Sequence, residues 1–169
     1  MSRTLILMRH SHAADAPGFR DFDRPLTTAG VQLAEVTGHL LRELGYVPDR
    51  VVASAAARTR ATAEHVTEQF ESAVETHSSD ELYQAPPSAY LPAIQRIVHP
   101  NTAVVMAVGH NPGIGSLICS LAGHRHFIPP ATVGIFQLDT DDWFQLKGLN
   151  HNSVSFVQLI ANGEVVTVQ

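Results

Sequence analysis

Four side chains set the chemistry this sequence can carry: Arg9, His10, Arg58 and His110. Two guanidiniums and two imidazoles offer many N–H donors and no carboxylate, the inventory for holding a dianionic phosphoryl group. A guanidinium fork matches phosphate oxygens in pairs. An imidazole that titrates near neutrality can also serve as a nucleophile. Arg9-His10 alone is a weak signal, since an ordinary strand end with two polar residues facing water reads the same way. What strengthens it is the set of elements that must position all four residues.

Leu5-Ile6-Leu7-Met8 is an unbroken apolar run, which suits a strand covered on both faces, and it ends in Arg9-His10. Val51-Val52-Ala53 reads as a second buried strand. It ends at Ser54, with Arg58 at the start of the helical stretch that runs from Ala55 to Gln69. Val74 to His77 reads as a short third strand. Thr102 to Val108 is the clearest buried strand, and it ends in Gly109-His110-Asn111-Pro112-Gly113 before a helix from Ile114 to Ala122. Strands that alternate with helices form a parallel sheet whose carboxyl ends share one side. Ligands of open α/β sheets bind outside those ends. Arg9, His10, Arg58 and His110 are therefore expected to meet in one pocket.

The remaining segments complete the frame. A charged loop, Ala13 to Pro25, carries Asp15, Arg20, Asp21, Asp23 and Arg24. Thr27 or Thr28 can cap a helix that ends at Gly45, with Leu33, Val36, Leu40 and Leu44 spaced along one apolar face. Ser88 can cap a further helix to about Val98, with Leu91, Ile94 and Ile97 inward. Thr132 to Leu138 reads as a strand, and Trp143 to Lys147 has no decisive pattern. Val154 to Ile160 and Val165 to Val168 flank Ala161-Asn162-Gly163, a hairpin signal. The expected fold is a single α/β domain over residues 1–169. It has three layers, a mainly parallel central sheet between helices, and a C-terminal β-hairpin at or near an edge.

The 169 residues suffice for one domain with a real core, and 44% of them are hydrophobic. A net charge of -5 argues against a nucleic-acid or anionic-membrane partner, so a phosphate site must be a local positive pocket on an acidic surface. One cysteine, Cys119, excludes an internal disulfide framework and suits a reducing compartment. No apolar run approaches a membrane span, and the first one is too short for a signal peptide, so a cytoplasmic location is expected. His10 and His12, or His124-Arg125-His126, have spacings that can chelate a metal. Neither group has a third ligand at a suitable spacing, and no metal is expected.

Leu7-Met8-Arg9-His10, Arg24-Pro25-Leu26-Thr27-x-x-Gly30, Ser54-x-x-x-Arg58-x-x-x-Thr62-Ala63 and Val108-Gly109-His110-Asn111-Pro112-Gly113 occur in that order. Together they resemble the histidine phosphatase superfamily, whose members share an Arg-His motif at the end of the first strand. Asp23-Arg24-Pro25-Leu26, Glu81-Leu82-Tyr83 and Leu138-Asp139-x-x-x-Trp143 are most similar to the compact SixA-type phosphohistidine phosphatases. Ser11 departs from the usual Gly or Ala after the histidine, and Ala55-Ala56 replaces the usual Pro-Leu before the second arginine.

The resemblance implies that His10 is a nucleophile that forms a covalent phosphohistidine. Arg9, Arg58 and His110 would bind the phosphoryl oxygens, His110 as an imidazolium. Neither a cofactor nor a metal is called for, because the arginines fill that electrostatic role. Glu81, beside Asp80, resembles the acid-bearing segment and is the expected proton donor. Tyr83 to Thr102 holds only one helix, where larger members have insertions that close over small substrates. An open pocket suits phosphohistidine presented by a phosphorylated partner protein. A phosphomonoesterase acting on a small phosphorylated metabolite is the alternative. A non-catalytic phosphate-binding module is a third reading, which the presence of His10 disfavours.

Overall fold

Leu5, Ile6, Leu7 and Met8 are fully buried at the centre of strand β1 (Arg3–Arg9) in the computed structural model, which describes residues 2–167. Alternate residues feed two cores, as the period-two geometry of a strand requires. Leu5 and Leu7 enter one, and Ile6 and Met8 enter the other. The other strands are β2 (Arg50–Ser54), β3 (Glu75–Ser79), β4 (Val104–Gly109), β5 (Val133–Leu138), β6 (Val154–Ala161) and β7 (Glu164–Val166). The seven-stranded sheet runs β3-β2-β4-β1-β5-β6-β7. Strands β1, β2, β3, β4 and β6 share one direction, and β5 and β7 oppose it. The parallel pairing expected from alternating elements thus holds from β3 to β1. From β1 outward every pairing is antiparallel. The C-terminal hairpin forms the edge as expected: Ala161 pairs with Glu164 around Asn162 (φ 54) and Gly163 (φ 75). Two positive φ values in a two-residue turn match the twist of the flanking strands, and Asn-Gly adopts them readily. Val168, expected in this hairpin, lies outside the described residues.

Helices α1 (Thr28–Glu43) and α2 (Ala57–Thr67) cover one face, packed on Ile6, Met8, Met106 and Val108. Helices α3 (Tyr90–Ile97) and α4 (Gly113–Ala122) cover the other, packed on Leu5, Leu7, Val105 and Ala107. These are the three expected layers. Thr27 caps α1 by accepting from the Gly30 N–H at 2.9 Å. The buried face of α1 overlaps the expected Leu33-Val36-Leu40-Leu44 stripe in part: Leu33 and Leu40 are half-buried against the core. Its most buried positions are Gly30, Ala34, Thr37, Gly38 and Leu41, while Val36 and Leu44 are exposed. Small residues won because backbone approaches there: a Cβ on Gly38 would lie 2.5 Å from the Val66 carbonyl oxygen. Ser88 does not cap α3; it lies within a short 3-10 turn, Pro87–Ala89, that leads into the helix. Trp143 is buried in another such turn and donates its indole N–H to the Thr102 carbonyl at 2.8 Å. Among the described residues no helix is long and apolar enough to cross a membrane.

Candidate active site

The register of the parallel strands brings the strand ends together. Arg9 of β1 pairs with Gly109 of β4, and Ala53 of β2 pairs with Val108. His10, His110 and Ser54 therefore emerge from the sheet at one level, and α2 begins beside them with Arg58. His10 is 8% exposed, Arg58 4% and His110 2%. The two imidazole rings are 5.3 Å apart, centre to centre. All four residues expected to meet do so.

His10 has a defined tautomer. Its Nδ1 lies 2.7 Å from the Ser11 carbonyl oxygen, which can only accept. Nδ1 therefore carries the ring proton and Nε2 presents its lone pair. Arg58 Nε donates toward that Nε2 at 3.3 Å. Burial pushes the His10 pKa down to about 3; the bond to Ser11 opposes this, and the charges of His110, Arg58 and Arg9 add to it. A neutral imidazole at pH 7 is the reactive form of a nitrogen nucleophile. The Ser11 hydroxyl does not enter the pocket. It is fully buried and donates to the Gly30 carbonyl at 2.7 Å, and the Ser11 N–H donates to Thr62 Oγ1.

His110 is held through Ser54, whose Oγ is 2.8 Å from His110 Nε2. His110 Nδ1 is buried with no protein partner. Burial first, and then Arg58 and Arg9, lower its pKa to about 4, with Asp21 opposing. Burial and the two nearby guanidiniums thus favour a neutral His110 in the free protein, where the expectation was an imidazolium. Arg9 donates from Nη1 to the Ile128 carbonyl at 2.8 Å, and its Nε is buried and unpartnered.

Arg58 is clamped from the loop before α1. Its Nη1 donates to the Asp21 carbonyl at 2.6 Å, and its Nη2 to Asp21 Oδ2 at 3.1 Å. The Tyr83 hydroxyl donates to the same carboxylate oxygen at 2.5 Å. That bond, then Arg58 and Arg24, holds the Asp21 carboxyl at about 2. The Tyr83 ring stands edge-on to both Phe22 and His110. Asp21, Tyr83 and Ser54 are site residues to which the sequence reading gave no role. Asp21 was legible only as one charge in a loop long enough to be functional.

Glu81 is not brought to this cluster. It is exposed and pairs with Arg96 of α3. It sits in a 3-10 turn, Asp80–Leu82, in which Leu82 is buried. The carboxylate that reaches the cluster is Asp21, so Glu81 is not found where the expected proton donor was to stand. Among the described residues no group of three or more His, Cys, Asp or Glu is placed to hold a metal ion.

A mixed sheet with Arg9, His10, Arg58 and His110 at its carboxyl edge defines an α/β protein built to handle a phosphoryl group. Comparison with known proteins agrees. The model of the histidine phosphatase superfamily (branch 1) matches residues 5–83. A Mycobacterium tuberculosis protein without an assigned role is 33% identical over 115 residues, 68% of this chain and 70% of its own. Two solved structures provisionally designated SixA phosphohistidine phosphatases share the architecture at TM-score 0.77. The one from Agrobacterium tumefaciens is 28% identical, over 94% of this chain and 97% of its own. The one from Nakamurella multipartitia is 29% identical, over 95% and 96%. The chain belongs to the histidine phosphatase superfamily, and its site is one for phosphatase chemistry.

Proposed function

We propose that the protein hydrolyses phosphohistidine on a partner protein through a covalent phosphoryl intermediate on His10 Nε2. The observation that carries this reading is the absence, among the described site residues, of a carboxylate able to give up a proton. Asp21 is the carboxylate at hand, and it is ionised, held at about 2 by Tyr83, Arg58 and Arg24. An ester leaves as a strongly basic alkoxide and depends on a general acid, which contributes about 10²–10⁴-fold. The imidazole of a phosphohistidine is a far weaker base, and its second ring nitrogen can take a proton from solvent before the bond breaks. It then leaves as neutral imidazole with no help from the enzyme.

The steps follow from the geometry. His10 Nε2 attacks phosphorus as the substrate P–N bond breaks, and the bonding pair goes to the departing ring nitrogen. Arg9 and Arg58 hold the equatorial oxygens as charge moves, in a site that excludes most water. His10 Nδ1 keeps its proton on the Ser11 carbonyl throughout, so the phosphorylated ring is cationic and is itself a good leaving group. Water then attacks phosphorus, phosphate departs, and Nε2 regains its lone pair. The arginines supply the positive charge that a metal would otherwise bring. Steady-state rates on a phosphohistidine protein and on sugar phosphates, each with and without EDTA, test the reading. Phosphohistidine should be preferred by at least about 10²-fold in kcat/KM, with no effect of EDTA. Equal or faster ester hydrolysis overturns it.

A further inference from the structure

We propose that the groove beside Arg9 receives the polypeptide flanking the phosphorylated histidine, and that it selects acidic and apolar flanking residues. This rests on the function proposed above and adds its substrate specificity. The groove has a volume of about 470 Å³ and is lined by Arg9, Asn111, Cys119, Arg125, Phe127 and Ile128, among others. Arg9 belongs to both the phosphate site and the lining of the groove, so the groove lies next to that site. The loop that carries Arg125 and Phe127 is fixed to the site by two bonds to one carbonyl. Arg9 Nη1 reaches the Ile128 oxygen at 2.8 Å, and Asn111 Nδ2 reaches it at 3.1 Å. A ligand in the groove would thus be placed with respect to His10.

Two properties define the occupant. The first is charge. Arg9 and Arg125 line the groove with no carboxylate among the described residues, on a chain whose net charge is -5. The local sign is opposite to that of the whole molecule, and it favours Asp or Glu in the partner. The second is an apolar anchor. Phe127 is 87% exposed, more than any other large apolar side chain among the described residues. Single exposed apolar residues are ordinary. This one lines the same groove as Arg9 and Arg125, next to the phosphate site. Aromatic and arginine side chains in that arrangement carry much of the binding energy in protein interfaces. A phosphate ion needs none of this space.

The test uses short phosphohistidine peptides with acidic-apolar or basic flanks, and phosphoramidate as a substrate without flanks. Wild-type enzyme, Arg125→Glu and Phe127→Ser are compared. Both positions are exposed, so neither change disturbs the core. Wild-type enzyme should prefer the acidic-apolar peptide, more so at low salt. Arg125→Glu should raise its KM roughly three- to tenfold and reverse the flank preference, and Phe127→Ser should raise KM for the same peptide. Neither variant should change kcat or phosphoramidate turnover. Peptides cleaved with unchanged KM and flank preference in both variants overturn the groove while leaving the phosphohistidine reading intact. Wild-type enzyme that cleaves sugar phosphates but no phosphohistidine peptide overturns that reading, and the groove's assignment with it.

Discussion

Ser54 closes β2 fully buried, and among the described residues its hydroxyl is the one group that holds a ring nitrogen of His110. Remove it and both ring nitrogens of a buried imidazole lack partners. Ser54→Ala should lower kcat/KM about two- to tenfold, the equivalent of one neutral hydrogen bond of roughly 0.5–1.5 kcal/mol. Nitrogen NMR should show a changed tautomer balance at His110 while His10 stays protonated on Nδ1. An unchanged His110 spectrum would mean that the serine serves packing alone. Arg9, His10, Arg58 and His110 were legible in the sequence because each closes a strand or opens a helix, where direction follows from periodicity. Asp21 and Tyr83 were not. They meet across 62 positions from segments without periodicity, and only the folded chain sets their distance. Glu81 precedes Tyr83 by two residues, yet the local turn sends the two side chains to different partners.

At the scale of elements, α1 separates hydrophobicity from packing. The spacing of Leu33, Val36, Leu40 and Leu44 pointed to one face; Leu33 and Leu40 do pack on the core, but the most buried line is rotated toward Ala34, Gly38 and Leu41, where small residues allow closer approach. Gly38→Ala places a Cβ 2.5 Å from the Val66 carbonyl and 2.9 Å from Val66 Cα, both backbone atoms of α2. Overpacking of this kind costs about 1–3 kcal/mol, against at most about 1 kcal/mol gained in helix propensity. The variant should unfold at lower urea with an unchanged slope. Val36→Ala, on the exposed side, should stay within about 0.5 kcal/mol of wild type. The order of strands and helices was readable, as was the Asn-Gly hairpin. The reversal at β5 was not, because strand direction depends on where the 123–132 connection carries the chain, and that segment has no periodic pattern.

At the scale of the molecule, the site makes the fold sensitive to acid. Burial pushes the His10 pKa down to about 3 and that of His110 to about 4, from the ordinary imidazole value of 6.5. Between pH 6.5 and those values the unfolded chain binds protons that the folded chain refuses. Stability therefore falls as pH drops from about 6.5 toward 4, in proportion to the excess protons bound by the unfolded state. Asp21 adds the same sign lower down, since its pKa falls from 3.8 to about 2. Urea midpoints measured across this range should decline on acidification. The double variant His10→Gln, His110→Gln should show a shallower decline, by up to about two protons in the linkage slope. An equal slope would place the acid-sensitive groups elsewhere.

Arg58 commits three of its five N–H donors before any substrate arrives: Nε faces His10, and Nη1 and Nη2 each give one bond to Asp21. An anion that takes the Nη2 donor facing Asp21 must first displace a carboxylate. A singly charged visitor exchanges like for like and gains little. A phosphoryl dianion gains, because it can also reach Arg9 and His110. Asp21 thus works as a threshold on ligand charge. The apparent affinity for any anion is its intrinsic affinity multiplied by the fraction of molecules in which the fork is open. The common carboxylates of a crowded solution should therefore gain little at a donor already held by Asp21.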